Sequence, residues 1–385
     1  MEKLFDDKIR NDDRYSGHLE KSYDFYDTTA KPEFVAIRDM LNDWFSRYPE
    51  TDKRQLKRDF YSHQFDSAFF ELFIHELFYQ QGFSLTPHPT LPNSTKNPDF
   101  LARKGDFEIY LEAKVATDKS NDQRTLENKR GAIYDELQKL VSVNYLVEIE
   151  DIVFKSDKQA KLSKLRKYFQ KWLDACHASQ HPQYNDYDEH GDECFSYDDE
   201  DIKISLRAHA GIIMDDHPIA SYLGGSFCGG CEEALAGAIR EKGAKYGQLD
   251  RPYIVCVNMI GVRHPRTDEI YNTLLGLRRH FTDTHNYQNA PFSIEMDGVL
   301  KNPTGPIFTQ VSAFFITQVF PSNLHAAKHW LIEHPATKNK IDLGKLDLTN
   351  HNESSVRTKK SIKEILYPYT ARPQSDVARK DDRSF

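Results

Sequence analysis

Residues 98–114 read Pro98-Asp-Phe-Leu-Ala-Arg-Lys-Gly-Asp-Phe-Glu-Ile-Tyr-Leu-Glu-Ala-Lys114, and they predict a β-hairpin. Lys104-Gly105-Asp106-Phe107 supplies its tight turn, with a glycine where positive φ is needed. If Gly105 and Asp106 form a two-residue loop, Phe100 pairs with Leu111 and Asp99 stands opposite Glu112. Side chains alternate between faces along each strand. Phe100, Ala102, Phe107, Ile109, Leu111 and Ala113 then share one apolar face. Asp99, Leu101, Arg103, Glu108, Tyr110, Glu112 and Lys114 share the other. A slip of one residue would mix the two sets.

Two carboxylates facing each other destabilise a sheet unless positive charge compensates them. Lys114 does so in part. A divalent cation does so better, because carboxylates and backbone carbonyls suit Mg²⁺ or Mn²⁺. Such an ion clamps a phosphodiester, lowers the pKa of a bound water and stabilises the leaving oxygen. The lysine can orient that water or neutralise transition-state charge. Phosphodiester hydrolysis is the chemistry these residues suit. The plainer alternative is a solvated outer face on which Lys114 pairs with Glu112.

Outward from the hairpin, residues 65–81 predict a helix that stops at Gly82, with Asp66 and Ser67 as cap residues. It is apolar almost all round, with Glu71, His75 and Glu76 as exceptions, which suits a buried helix. Residues 34–48 are amphipathic within an otherwise polar lead-in. Beyond the hairpin, 123–142 predict a helix, 144–154 a strand, 155–175 a basic helix and 185–201 an acidic loop. A strand over 202–214, a helix over 232–246 and a strand over 252–258 follow, and a loose polar tail begins at residue 350. Strands interleaved with helices indicate an α/β fold, and no repeat with a period of 20 to 50 residues is visible.

Pro98-Asp99, twelve intervening residues and Glu112-Ala113-Lys114 resemble the signature of the PD-(D/E)XK nuclease superfamily, the restriction-endonuclease-like fold. The resemblance implies a central mixed sheet flanked by helices, with a helical N-terminal lead-in (1–60) and a long C-terminal elaboration. A nuclease domain would span 61–335, with its core at 65–154, and a polar tail would span 336–385. The upstream helix should carry a glutamate, which matches Glu71, with Glu76 as the substitute. The helix over 123–142 and the strand over 144–154 match the elements that should follow the lysine strand.

By the same resemblance, Asp99 and Glu112 would ligate a metal together with the Ala113 carbonyl. Glu71 would support that metal directly or through water, and Lys114 would position the nucleophile. Mg²⁺ would be the cofactor, Mn²⁺ a substitute and DNA the substrate, with defence against foreign DNA a role by analogy. A homodimer or partner proteins of a defence system would fit. The alternative is a catalytically inactive nucleic-acid-binding or assembly subunit that keeps the fold. Residues 243–258 resemble segments of larger bacterial proteins with this core and read as plain core. Lys242 and Lys245 come within reach of a substrate phosphate if their helix ends at the groove.

Composition sets the remaining limits. The 385 residues are 39% hydrophobic and 29% charged, enough for one large core or two modest ones. No apolar run is long enough to span a membrane. The charged opening Met1-Glu-Lys-Leu-Phe-Asp-Asp-Lys8 lacks the apolar region of a secretory signal, and five cysteines do not make a disulfide framework, so a reducing cytoplasm is expected. A net charge of -8 excludes a globally basic nucleic-acid binder but not a local patch. Lys155, Lys158, Lys161, Lys164, Arg166, Lys167 and Lys171 recur mostly every third residue. Lys158, Lys161, Lys164 and Lys167 are the candidate phosphate contacts among them, against the equal alternative of a solvated face. Arg357, Lys359, Lys360 and Lys363 could extend that surface. Residues 186–201 hold nine acids and no lysine or arginine, which favours a flexible insert over a negative gate. Cys228 and Cys231 make half a zinc motif, which Cys176 and Cys194 could complete, but no second paired motif exists. The glycine pairs 224–225 and 229–230 precede a helix without forming a P-loop.

Overall fold

The computed structural model describes residues 2–14, 16–117, 121–188, 190–210, 218–220, 231–261, 264–276, 278–281, 292–295, 298–351 and 356–367. They divide into two units, one of Met1–Asp12, Tyr26–Asp118 and Gly229–Phe385, the other of Asp13–Phe25 and Lys119–Cys228. The expected lead-in and tail thus both fall mostly in the first unit. Among the described residues, no helix is long and apolar enough to cross a membrane.

After the short α1 (Ser22–Thr28), the first unit opens with α2 (Pro32–Arg47), α3 (Lys53–Tyr61) and α4 (Phe65–Tyr79). The sequence of α4 contains no glycine or proline, and eleven of its residues are buried. Its end is set by Gly82, at φ +83°, and by the Phe83 N–H returning to the Phe78 carbonyl at 3.2 Å. Asp66 and Ser67 do not cap it. Gln64 holds the cap position without a side-chain bond, and Asp66 sits in the first turn, where a carboxylate suits the helix dipole.

The sheet of this unit has eight strands. In spatial order they are β1 (Ser84–Pro87), β2 (Phe100–Lys104), β3 (Phe107–Ala116), β9 (Tyr253–Met259), β14 (Ala313–Thr317), β15 (His329–Glu333), β16 (Asn350–His351) and β17 (Val356–Arg357). It is mixed: β3–β9, β9–β14 and β15–β16 run parallel and the other neighbours antiparallel. Every residue of β9 and β14 is buried, and the apolar runs Tyr253–Val257 and Ala313–Ile316 suit the centre of a sheet covered on both faces. On one face Leu101, Tyr110, Val255, Val257, Phe314 and Ile316 join the apolar residues of α7 (Cys231–Gly243) and α8 (Thr267–Leu275). On the other, α4 packs on β3, with the His75 ring 5.9 Å from that of Phe100. Two small hairpins, β10 (Arg278–Phe281) with β11 (Phe292–Glu295) and β12 (Lys301–Asn302) with β13 (Gly305–Pro306), complete the strands. Within the expected loose tail, residues 350–351 and 356–367 are described. They supply two strands and α9 (Ile362–Leu366), whose Ile362, Ile365 and Leu366 are buried.

The hairpin has the expected register, from Phe100 opposite Leu111 to Lys104 opposite Phe107, with Gly105 at φ +58°. The elements expected to follow it differ. β3 pairs not with residues 144–154 but with β9, in parallel from Tyr110–Tyr253 to Ala116–Met259. The helix between these two strands in the first unit is α7. Residues 119–228 therefore interrupt a β-helix-β crossover, and the sheet core expected over 65–154 is drawn from both sides of that interruption.

The second unit has its own core. A five-stranded sheet runs β5 (Asp186–Tyr187), β6 (Glu193–Asp198), β7 (Ile202–Ala210), β4 (Tyr145–Phe154) and β8 (Ile219–Ala220). Two helices, α5 (Asn121–Leu137) and α6 (Leu162–Ser179), bring Ile133, Leu137, Leu165, Phe169 and Trp172 against Val147, Ile149, Ile204 and Leu206. The acidic stretch is not a flexible insert. It forms β5 and β6, the Phe195 ring stacks on Trp172 at 4.9 Å, and Asp186 and Asp188 pair with Lys203 and Arg207 on β7.

The basic helix is shorter than expected. It starts at Leu162, so Lys155, Lys158 and Lys161 precede it and the seven cations do not share one helical face. Ser156 explains the late start, because its hydroxyl donates to Asp201 at 2.7 Å and accepts from the Lys158 N–H. Lys164 lies over the Tyr197 ring and 3.8 Å from Asp199, and Lys155 pairs with Asp198. Lys158, Lys161 and Lys167 are exposed.

Candidate functional site

Asp99 lies one residue before β2, and its Oδ2 accepts the Ala113 N–H at 2.6 Å. This bond crosses the hairpin at the level where Asp99 and Glu112 were expected to face each other. Burial, then the charges of Glu112 and Glu71, push the Asp99 carboxyl up to about 7. Glu71 comes from α4 and accepts the Tyr48 hydroxyl at 2.5 Å. Burial raises its pKa against the lowering effect of that bond, and Asp59, Asp52 and Glu112 add to the rise. The three carboxylates are thus electrostatically coupled. Glu76, the expected substitute for Glu71, is engaged elsewhere, with Arg47 at 2.7 Å and Gln80 at 2.6 Å.

Glu112 is fully buried on an interior strand. A buried carboxylate requires charge partners, and these come from the end of α7 and the turn after it. Lys242 and Lys245 both donate to Oε1, at 2.7 and 2.6 Å, and the Tyr246 hydroxyl bonds Oε2. The Tyr246 hydroxyl also has the Asn97 carbonyl within reach of its single proton at 2.8 Å, and its ring lies 4.9 Å from the Lys245 ammonium. Burial opposes the charge on Lys242, but the Glu112 carboxylate outweighs it and leaves that ammonium pKa raised.

Lys114 does not compensate the opposed carboxylates. It reaches Glu241 at 2.6 Å, with both side chains partly exposed. Residues 241–246 therefore engage both ends of the Glu112–Lys114 motif with opposite charge. Of the sequence-predicted residues, Glu71, Asp99, Glu112 and Ala113 are brought together, and Lys114 adjoins them through Glu241. Lys158, Lys161, Lys164 and Lys167 belong to the second unit, away in sequence from these carboxylates. Tyr48 and Glu241 were not expected here, and Tyr246 was read as plain core. Lys242 and Lys245 were expected only as phosphate contacts.

The donors here are hard oxygens, of the kind that suits Mg²⁺ or Mn²⁺. Among the described residues, no three His, Cys, Asp or Glu side chains already stand in a metal-holding arrangement. Glu112 would have to exchange an ammonium partner to take a cation. For the half zinc motif, Cys228 lies outside the described residues, as do both glycine pairs, whereas Cys176, Cys194 and Cys231 are buried. Of the C-terminal cations, Lys359 donates to the Gly344 carbonyl and Lys360 pairs with Asp347.

Comparisons with family models, with curated proteins and with solved structures find no match to this chain.

Proposed function

We propose that the chain is a metal-dependent nuclease that hydrolyses DNA phosphodiesters. In this reading α4, β1–β3, α7 and β9 form a restriction-endonuclease-like core. The observation that carries it is the coupling of Glu71, Asp99 and Glu112. These carboxylates come from a helix, from the residue that leads into β2 and from β3, in a hairpin of the expected register, and burial followed by their mutual repulsion raises the Asp99 pKa. Asp99, Glu112 and the Ala113 carbonyl, supported by Glu71, would hold Mg²⁺ or Mn²⁺. When bound, that ion would supply Lewis-acid activation of water and charge stabilisation at the phosphate. Lys114, partly exposed on the same strand face, would orient the attacking water and neutralise developing charge once Glu241 yields it.

One observation favours a second reading, that of a nucleic-acid-binding subunit without hydrolysis: Glu112 is already paired with two ammonium groups and hydrogen-bonded by a phenol. Incubation of supercoiled plasmid and linear duplex with Mg²⁺, Mn²⁺ or EDTA separates the two. The nuclease reading expects metal-dependent cutting that falls at least about 100-fold in Glu112→Ala and in Lys114→Ala. Cutting that survives both substitutions, or salt-sensitive DNA binding with no cutting under any metal, overturns it.

A further inference from the structure

Two ammonium groups share one carboxylate oxygen at this site. Lys242 and Lys245 lie 2.7 and 2.6 Å from Glu112 Oε1, so they necessarily stand close to each other. Like charges converge in this way only because an anion lies between them. Their surroundings are not open water: the side chains keep 13% and 25% of their exposure, and Glu112 keeps none. Lys242 has two further acidic neighbours: Asp99, whose charge also acts on it, and Glu241, at 3.7 Å and itself engaged with Lys114. If a cation draws Glu112 and Asp99 to itself together, the two ammonium groups are left adjacent, partly desolvated and short of an anion.

We propose that Lys242 and Lys245 are a phosphate-binding pair that rests on Glu112 and passes to a backbone phosphate of nucleic acid when a divalent cation takes that carboxylate. This rests on the nuclease reading and adds to it a defined regulation of the site. A phosphodiester carries one charge over two non-bridging oxygens, which matches two adjacent ammonium groups. No covalent step is involved: the ammonium groups exchange one anion for another. Metal and nucleic acid then bind cooperatively, because each favours the released state of the lysines, and the coupling is reciprocal. In the absence of metal the same contacts keep the site closed to phosphate.

The test measures binding of a fluorescein-labelled DNA duplex to the full-length protein, with Ca²⁺ or with EDTA. It compares wild type, Lys245→Met, the double variant Lys242→Met/Lys245→Met and the charge-preserving Lys242→Arg. Mn²⁺ affinity without DNA is measured on the same proteins by electron paramagnetic resonance. Wild type is expected to bind the duplex roughly 5- to 150-fold more tightly with metal. Lys245→Met should lose part of that gain and the double variant nearly all of it, while Lys242→Arg keeps it. The slope of log K against log salt, measured with metal, should be shallower by up to about 2 in the double variant. Its Mn²⁺ affinity should rise, because the competing cations are gone, which also shows that it is folded.

A metal-dependent gain that persists in the double variant overturns the proposal, because the metal alone would then bridge the phosphate. A wild type that cuts DNA with Mg²⁺ but binds it equally with and without metal overturns the proposal and leaves the nuclease reading standing. A wild type that neither binds Mn²⁺ nor cuts DNA overturns both.

Discussion

Asp99 shows how a single side chain can stabilise a turn of structure and strain it as well. Its carboxylate receives the Ala113 N–H and so ties the two strands beyond their last paired residues. Yet its ionised form is disfavoured by burial and by Glu112 and Glu71, so its folded pKa of about 7 lies above the ordinary value of 3.8. A carboxyl raised on folding contributes stability that is fully present below the unfolded pKa and is lost as pH rises through the folded one. The window here is pH 4 to 7. Asp99→Asn keeps an oxygen to accept the N–H and removes the charge. It should be nearly neutral at pH 4 and more stable than wild type at pH 8, by about 1–3 kcal/mol. Urea midpoints at the two pH values check this, and an equal effect at both would contradict it.

The hairpin register, from Phe100 opposite Leu111 to Lys104 opposite Phe107, was legible because a hairpin is local and its two faces differ in polarity. The grip of Lys242, Lys245 and Tyr246 on Glu112 was not, because it depends on a parallel pairing between distant segments that no local pattern reports. Tyr48 was hidden because its bond to Glu71 comes from the packing of the end of α2 against α4, which no local pattern reports either.

Helix α4 illustrates what can be read from one element. Its length, its all-round burial and its stop at Gly82 follow from composition, and its three polar exceptions each occupy a distinct environment. Glu71 meets Tyr48, Glu76 meets Arg47, and His75 is enclosed by the rings of Tyr48, Tyr79 and Phe100, with no hydrogen-bond partner for Nδ1. Burial, with Arg47 second, lowers the His75 pKa to about 4. A histidine held neutral in the fold and titrating at 6.5 when unfolded removes stability as pH falls from 6.5 towards 4. By pH 5 the loss from His75 is about 2 kcal/mol. Comparing urea midpoints of wild type and His75→Phe at pH 7 and pH 5 isolates this contribution, since the variant should show a flatter decline. Helix α6 was less legible. Its lysine spacing continues upstream of Leu162, but the Ser156–Asp201 contact holds that upstream segment out of the helix.

At the scale of the molecule, the sequence signalled an α/β architecture but not two cores. The strand over 144–154 carries the same apolar pattern as any half-buried strand, and such a pattern does not say which sheet it joins. The pairing of β3 with β9, and the separate sheet and core of residues 133–219, show that residues 119–228 form a unit of their own. Separate cores should unfold as separate cooperative steps. The three tryptophans make this measurable. Trp172 is buried in the second unit, and Trp44 and Trp330 are buried in the first. A Trp44→Phe/Trp330→Phe variant and a Trp172→Phe variant should report different guanidinium midpoints by fluorescence. Coincident midpoints would mean one cooperative unit.

The parallel pairing of β3 with β9 also imposes a waiting time on the nascent chain. When the hairpin emerges from the ribosome, the strand that will cover the open edge of β3 has yet to be made. At ordinary translation rates, residues 119–228 take on the order of ten seconds to synthesise. During that interval β3, with its apolar face and its acidic end, offers unpaired backbone groups to any strand nearby. The second unit can fold in the meantime, because its core is drawn from residues 133–219. Slow codons or a chaperone acting just after residue 228 would thus influence the yield of correctly folded protein more than the same intervention near the end of the chain.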